Sequence, residues 1–118
     1  MPSMPSRSPA PTLQDILENI RLARSFIAGL SFTDFQADRR TSYAVVRCLE
    51  IISEASRRLP TELKVRHPTI SWKQTAGAGN VYRHNYEDVA AQFIWDTVQH
   101  ALPALTAVLE QEIAREPQ

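Results

Sequence analysis

Apolar side chains recur every three or four positions along most of the chain, which is the spacing of one face of an α-helix. The first such stripe covers Leu13–Leu30, and Thr12 is predicted to cap the helix that carries it. A second stripe covers about Asp38–Leu59 and stops before Pro60, since proline is unfavourable inside a helix. No stretch alternates apolar and polar residues with the period of two that predicts a half-buried strand.

Shorter helices are predicted between and after these two. Residues 31–37 and 61–66 each suit a short helix, and HPTIS (residues 67–71) is predicted to be an extended connector held by Pro68. Ser71 and Gln74 have the spacing of a capping box, so a helix is predicted to begin at Trp72.

A last long helix is predicted over about 87–115, with a kink at Pro103 because proline lacks a backbone N–H. The pattern therefore predicts an all-α fold, a four-to-five-helix up-and-down bundle.

Composition narrows the class of protein. The chain has 118 residues, enough for one domain, and its thirteen basic side chains balance thirteen acidic ones. The proline-rich start, residues 1–11, is predicted to be a disordered tail, and residues 12–118 the helical domain. The single cysteine, Cys48, lies in an apolar stretch and is expected to pack as a small apolar side chain in a reducing compartment. With no apolar run of about 18 residues, we expect a cytoplasmic protein.

One ten-residue stretch, GAGNVYRHNY (residues 77–86), concentrates side chains that are rare elsewhere. It contains two of the three glycines, two of the three tyrosines and one of the three histidines. Histidine suits a general base near neutral pH, and arginine suits a phosphate anion, so Arg83 and His84 are candidate catalytic residues. Tyr82 and Tyr86 are suited to stacking on bases. The alternative is structural: Gly77 and Gly79 let two helices pack closely and Tyr82 fills an interface.

The remaining polar candidates are expected to be structural. His67 and His100 are interpreted as capping or surface residues, and their separation gives no metal-ligand spacing. Neither a metal nor a cofactor is therefore expected. Glu54 lies among apolar neighbours and is predicted to be a buried partner for an arginine, near His84.

Four segments in this order resemble the HepT-like proteins of the HEPN superfamily, across nearly the whole predicted domain. They are LEIISEA, the Pro-x-Ile-x-Trp connector, the Asn-x3-His-x-Tyr motif and the ending Trp-x6-Leu-Pro. The resemblance implies a helical bundle that pairs as a homodimer and acts as a metal-independent RNase toxin. It also implies a partner, an MntA-like nucleotidyltransferase that neutralises the toxin by transferring AMP to the motif tyrosine.

By this resemblance, His84 is the motif histidine, Tyr86 the AMP acceptor and Asn80 the polar residue after the motif arginine. The arginine position itself is occupied by Gly79, and Arg83 stands beside His84 instead. Three functions stay open at this point. They are an RNase toxin that uses His84 and Arg83, a catalytically weakened HEPN protein that binds a nucleotidyltransferase and is modified by it, and a helical dimer without chemistry.

Overall fold

The fold is a bundle of long helices joined by short ones. The computed structural model describes residues 8–81 and 87–116, and for residues 79–81 and 87–89 it describes the backbone alone. The helices are α1 (Ala10–Ile27), α2 (Phe32–Ala37), α3 (Arg39–Arg57), α4 (Thr61–Val65), α5 (Trp72–Val81), α6 (Glu87–Asp96) and α7 (Leu102–Arg115), with a π-helical turn at Thr97–Ala101. These two ranges contain no β-strand, so the prediction of an all-α bundle is confirmed.

Helix α1 begins at Ala10, with Pro9 at the N-cap position and no side-chain cap, so the prediction that Thr12 caps it is wrong. Pro11 lies in the first turn, where backbone N–H groups have no intrahelical acceptor, so the missing donor is harmless there. The Ser8 hydroxyl oxygen accepts a hydrogen bond from the Ala10 N–H at 3.1 Å. After α1 the chain turns at Gly29, whose φ of +81° is open to glycine at little cost.

Side-chain caps set the starts of α2 and α3. Ser31 accepts a hydrogen bond from the Asp34 N–H, and the Asp34 carboxylate accepts one from the Ser31 N–H, which is a reciprocal capping box. The Asp38 carboxylate accepts hydrogen bonds from the Thr41 N–H at 3.1 Å and from its hydroxyl at 2.7 Å. The bond from the Thr41 hydroxyl, ahead of the other causes, lowers the pKa of Asp38. Both helices begin where the sequence predicts.

The connector between α4 and α5 is a turn, so the prediction of an extended segment is wrong. The Ile70 N–H donates to the His67 carbonyl at 3.2 Å and closes a four-residue turn with Pro68 at its second position. Proline favours that position because its fixed φ already matches the turn. The Ser71 hydroxyl then accepts a hydrogen bond from the Gln74 N–H at 3.3 Å, which confirms the predicted start of α5.

The last long helix is interrupted just before Pro103. At the π turn, the Leu102 N–H donates to the Thr97 carbonyl, five residues back instead of four. Proline has no N–H and crowds the preceding turn, and a single π turn accommodates the disturbed hydrogen bonding. Pro103 itself lies in the first turn of α7, where it is tolerated. The predicted disturbance at Pro103 thus takes the form of a π turn.

The core lies mainly where α1 packs against α3 and α7. Four apolar positions of the second predicted stripe are buried, Val45, Leu49, Ile52 and Leu59, and Cys48 is buried beside them. Val46 and Ile51, which were expected to widen that stripe, are only partly buried. Burial raises the pKa of the Cys48 thiol, which matches the prediction of a packed, unreactive cysteine. On another side, Trp95 of α6 packs its ring against Phe32 and Phe35 of α2, with ring centroids 5.8 and 5.5 Å apart. Over the ranges that the structure covers, no helix is long and apolar enough to cross a membrane.

Candidate functional site

The sequence motif falls between the end of α5 and the start of α6. Arg83, His84 and Tyr86 lie outside the described residues, as does the side chain of Asn80. The backbone of Asn80 belongs to the last turn of α5, and α6 begins at Glu87. The described surroundings of the candidate site are therefore the parts of the fold that hold α5.

The N-terminal end of α5 is fixed by the ring of Trp72. Its indole N–H lies 3.1 Å from the Lys64 carbonyl oxygen and 3.2 Å from that of His67, and donates to both. Trp72 is partly buried and packs against the core. A single side chain thus ties the beginning of α5 to the end of α4 and to the connector.

Two side chains of α3 hold the middle of α5. The Ser53 hydroxyl donates to the Thr75 carbonyl at 2.9 Å, and Arg57 donates from Nη2 to the Ala76 carbonyl at 2.7 Å. Because the connector joins adjacent ends of the two helices, α5 runs back along α3. The two contacts fix α5 against α3 just before Gly77 and the motif.

Glu54 is exposed, so the prediction that it is a buried partner is wrong. Its side chain is 64% exposed and pairs with Arg57 at 3.1 Å and Arg58 at 3.8 Å. The residue lies on the outer face of α3, opposite the stripe that packs on α1, although its sequence neighbours are apolar. Its role is to fix the guanidinium that reaches across to α5.

A largely apolar groove of about 820 Å³ opens beside α5. It runs between α3 and α5 on one side and the π turn with the start of α7 on the other, and its wall includes Leu49, Gly77, Ala78, Phe93 and Leu105. A Cβ atom added at Gly77 would meet no atom within 4 Å. Gly77 therefore does not serve close packing of two helices within the chain, contrary to the structural alternative, and it leaves the groove wide.

A buried carboxylate holds the connector from the opposite side. The side chain of Glu112 in α7 is only 4% exposed and accepts hydrogen bonds from Arg66, at 2.6 Å from Nη2 and 3.2 Å from Nε. The oxygen that accepts from Arg66 Nε, Oε2 of Glu112, also lies 2.6 Å from Nε2 of His67. The hydrogen bonds from Arg66 lower the pKa of Glu112, and the carboxylate in turn raises the pKa of Arg66.

Sequence reasoning missed this cluster. His67 was predicted to cap a helix or lie at the surface, but its side chain is 12% exposed and in contact with Glu112. The signal was present, because Glu112 follows Val108 and Leu109 by four and three residues and so falls on the buried face of α7. His100, in contrast, is exposed as predicted.

The described residues also bear on the metal prediction. Across 8–81 and 87–116, no three His, Cys, Asp or Glu side chains come together in a way that could hold a metal ion. The one buried acid there, Glu112, is already saturated by two nitrogen-bearing partners.

Comparison with known proteins identifies the family. The sequence model of the HepT-like ribonucleases matches residues 16–112. A protein of Thermococcus cleftensis named a probable ribonuclease HepT is 38% identical over 105 residues, 89% of this chain and 96% of that protein. A candidate RNase of Caldanaerobacter subterraneus subsp. tengcongensis is 34% identical, over 93% of this chain and 98% of its own. No solved structure matches significantly. The match covers the helices from α1 to α7, and the chain therefore belongs to the HepT-like ribonuclease family.

Proposed function

We propose that this protein is the toxin of a toxin–antitoxin pair, a metal-independent RNase that works as a homodimer in the cytoplasm. Its antitoxin is an MntA-like nucleotidyltransferase that transfers AMP to Tyr86. The observation that carries the proposal is membership of the HepT-like ribonuclease family along residues 16–112. His84 and Tyr86 occupy the two motif positions on which the toxin and its neutralisation depend.

The chemistry assigned to the motif is cleavage of RNA through its own 2′-hydroxyl. His84 removes the proton from that hydroxyl, whose oxygen attacks the adjacent phosphorus. The guanidinium of Arg83 stabilises the extra negative charge on the phosphate oxygens, and the bond to the 5′-oxygen breaks as that oxygen takes up a proton. The products are a 2′,3′-cyclic phosphate and a free 5′-hydroxyl.

Neutralisation needs only the tyrosine hydroxyl. Its oxygen attacks the α-phosphorus of ATP bound to the nucleotidyltransferase, and pyrophosphate leaves. The AMP added to Tyr86 places a phosphate anion two residues from His84, where it competes with RNA for the same cation. Modification and catalysis are in this way mutually exclusive.

One feature of the sequence favours a second function. Gly79 occupies the position of the motif arginine, and Arg83 is a neighbour of His84 rather than its motif partner. A chain without that arginine suits a binding protein that forms a complex with the nucleotidyltransferase and is modified by it, with RNA cleavage weakened or lost. Only measured cleavage separates this alternative from the toxin.

The test is cleavage of a labelled RNA oligonucleotide in EDTA by the purified protein and its variants. The proposal expects cleavage with cyclic-phosphate ends, none on a 2′-O-methyl RNA of the same sequence, and a loss of at least 100-fold, about the scale of one general base, in His84→Ala. Arg83→Ala should lose a comparable factor. His100→Ala is the matched control, since His100 is exposed on the π turn.

The outcomes separate the two functions. If the wild-type protein leaves RNA intact yet gains AMP from ATP and a nucleotidyltransferase, the binding protein replaces the toxin. Modification should vanish in Tyr86→Phe and persist in Tyr43→Phe, whose ring is 68% exposed. Cleavage that survives His84→Ala would remove the proposed base.

A further inference from the structure

The outer face of α3 divides into two halves of different charge. Residues 39–49 contain three arginines, Arg39, Arg40 and Arg47, and no acid. The following nine residues, 50–58, contain two glutamates and two arginines and so carry no net charge. The N-terminal half of this helix is thus a basic surface on a protein whose charges balance overall.

The arginine side chains of this half are exposed. The Arg47 side chain is 71% exposed, and its ion pair with Glu50, at 3.8 Å, is a surface pair of the kind that contributes little. Arg39 and Arg40 are exposed as well. The acid that precedes them, Asp38, is engaged by Thr41 in capping the helix.

An aromatic ring lies among these charges. The Tyr43 side chain is 68% exposed, which makes it the most exposed of the described aromatic side chains. The Arg39 guanidinium carbon lies 5.9 Å from the centre of its ring, and Arg39 Nη2 donates to its hydroxyl at 3.3 Å. The ring and the cation therefore lie side by side at the surface, although nothing in the core requires the ring there.

We propose that this half of α3, defined by Arg39, Arg40, Tyr43 and Arg47, is a binding surface for single-stranded RNA. The arginines bind phosphates, and Tyr43 stacks on a base, the combination that sequence-tolerant single-strand binding uses. The inference rests on the proposed function for the identity of the ligand. It adds a surface that the motif does not contain.

The position of this surface suits a substrate on its way to the motif. Arg39 and Arg47 lie two turns apart, about 12 Å along the helix, so they bracket Tyr43. Helix α5, whose C-terminal end contains the first motif residue, Asn80, packs against α3. An RNA strand lying along this half of α3 is therefore bound to the helix on which α5 packs.

The experiment measures binding of a fluorescent 2′-O-methyl RNA oligonucleotide, which cannot be cleaved through its 2′-oxygen, by anisotropy over a range of salt concentrations. Arg47→Gln should weaken binding several-fold and reduce the magnitude of the log–log salt slope by about 0.7, the value for one phosphate contact on a single strand. Tyr43→Ala should weaken binding about fivefold or more with the slope unchanged. Tyr43→Phe should bind as the wild type does.

Arg58→Gln is the matched control. It removes the same charge, but Arg58 belongs to the neutral half, where it and Arg57 share Glu54. Equal losses in Arg47→Gln and Arg58→Gln would overturn the inference, because the effect would then be one of net charge. Absence of RNA binding by the wild type would also overturn the inference. So would variants that bind RNA as the wild type does and lose only their association with the nucleotidyltransferase or with a second copy of the chain.

Failure of the proposed function has a different signature. A protein that binds the 2′-O-methyl RNA through Tyr43 and Arg47, yet does not cleave ordinary RNA, retains the surface and lacks the RNase. A protein that cleaves RNA at the wild-type rate and KM in Tyr43→Ala and Arg47→Gln retains the RNase and lacks the surface. Melting temperatures within a degree or two of the wild type, as expected for exposed substitutions, exclude unfolding as the cause.

Discussion

The two ends of α5 differ in how firmly they are held. At the N-terminal end, Ser71 caps the helix and Trp72 donates to two carbonyls, while the connector just before it is held by Glu112 from α7. Towards the C-terminal end the helix contains Gly77, which contacts nothing at its Cβ position and borders an open groove. The secured end faces the core, and the open end leads into the motif.

Along one short helix, this difference separates the part that the rest of the fold holds in place from the part that leads into the motif. Ten residues that include two glycines are too few to form a stable helix alone, so α5 depends on its neighbours. The contacts of the connector and of α3 supply that support at one end and in the middle. Beyond these contacts, Gly77 and Ala78 line the open groove.

The largest expected effect comes from removing the charge that secures the N-terminal end. Glu112→Gln leaves Arg66 and His67 facing a neutral amide in a buried position, so charge-assisted hydrogen bonds are lost. We expect the free energy of unfolding to fall by about 2–3 kcal/mol. Urea denaturation followed by circular dichroism measures this change.

Glu110→Gln is the control for this substitution, because Glu110 lies on the exposed side of the same helix. Its effect should stay within about 0.5 kcal/mol, as for most surface positions. Equal effects of the two substitutions would mean that the Glu112 cluster does not secure α5, and the contrast between the two ends of the helix would be lost.

The pH dependence of stability, compared between the wild type and Glu112→Gln, sharpens the test. Hydrogen bonds from Arg66 lower the pKa of Glu112 in the folded protein. A carboxyl group with a lowered pKa stabilises the fold fully above its unfolded value, about 4.3 for glutamate, and loses that contribution as pH falls through its folded pKa. The stability difference between wild type and Glu112→Gln should therefore shrink as the pH falls below about 4.

A difference that persists undiminished at pH 3 would contradict this assignment. It would mean that the glutamine variant is destabilised by altered packing and not by the missing charge. Other carboxylates titrate over the same range, but they are common to both proteins, so the difference between the two curves isolates Glu112 and its partners Arg66, His67 and Arg115.

Most of the fold follows from periodicity and caps. The starts of α2, α3 and α5 depend on local chemistry at Ser31, Asp38 and Ser71, and the sequence predicts each of them. The connector around Pro68 was wrong because a proline suits both extended chain and the second position of a turn, and a tertiary contact selected the turn. Glu54 was misjudged because apolar neighbours in sequence do not specify which face of a helix a residue occupies. Glu112 drew no prediction, although its spacing from Val108 and Leu109 places it on the buried face of α7.

The candidate site is less accessible to sequence reasoning than the fold. The family resemblance identifies His84 and Tyr86 as motif residues, and they remain predictions, as does the role of Arg83. Periodicity gives no sign of the Arg39–Tyr43 contact, because exposed positions leave no apolar pattern. A buried cluster joins residues that are far apart in the chain, and an exposed surface consists of residues that do not pack against the core. Both are recognised from coordinates.

The smallest expected effect tests the open end of α5 directly. Gly77→Ala should raise the free energy of unfolding by about 0.5–1 kcal/mol, because alanine restricts the unfolded chain and the added methyl group meets no atom. Gly29→Ala is the matched control with the opposite sign. Gly29 also has open space, but its φ of +81° strains any side chain, so about 1 kcal/mol should be lost. If Gly77→Ala instead destabilises the protein, another group of the protein occupies the groove beside Gly77. If the variant is more stable as a monomer but self-associates more weakly, the group that occupies the groove belongs to a second copy of the chain.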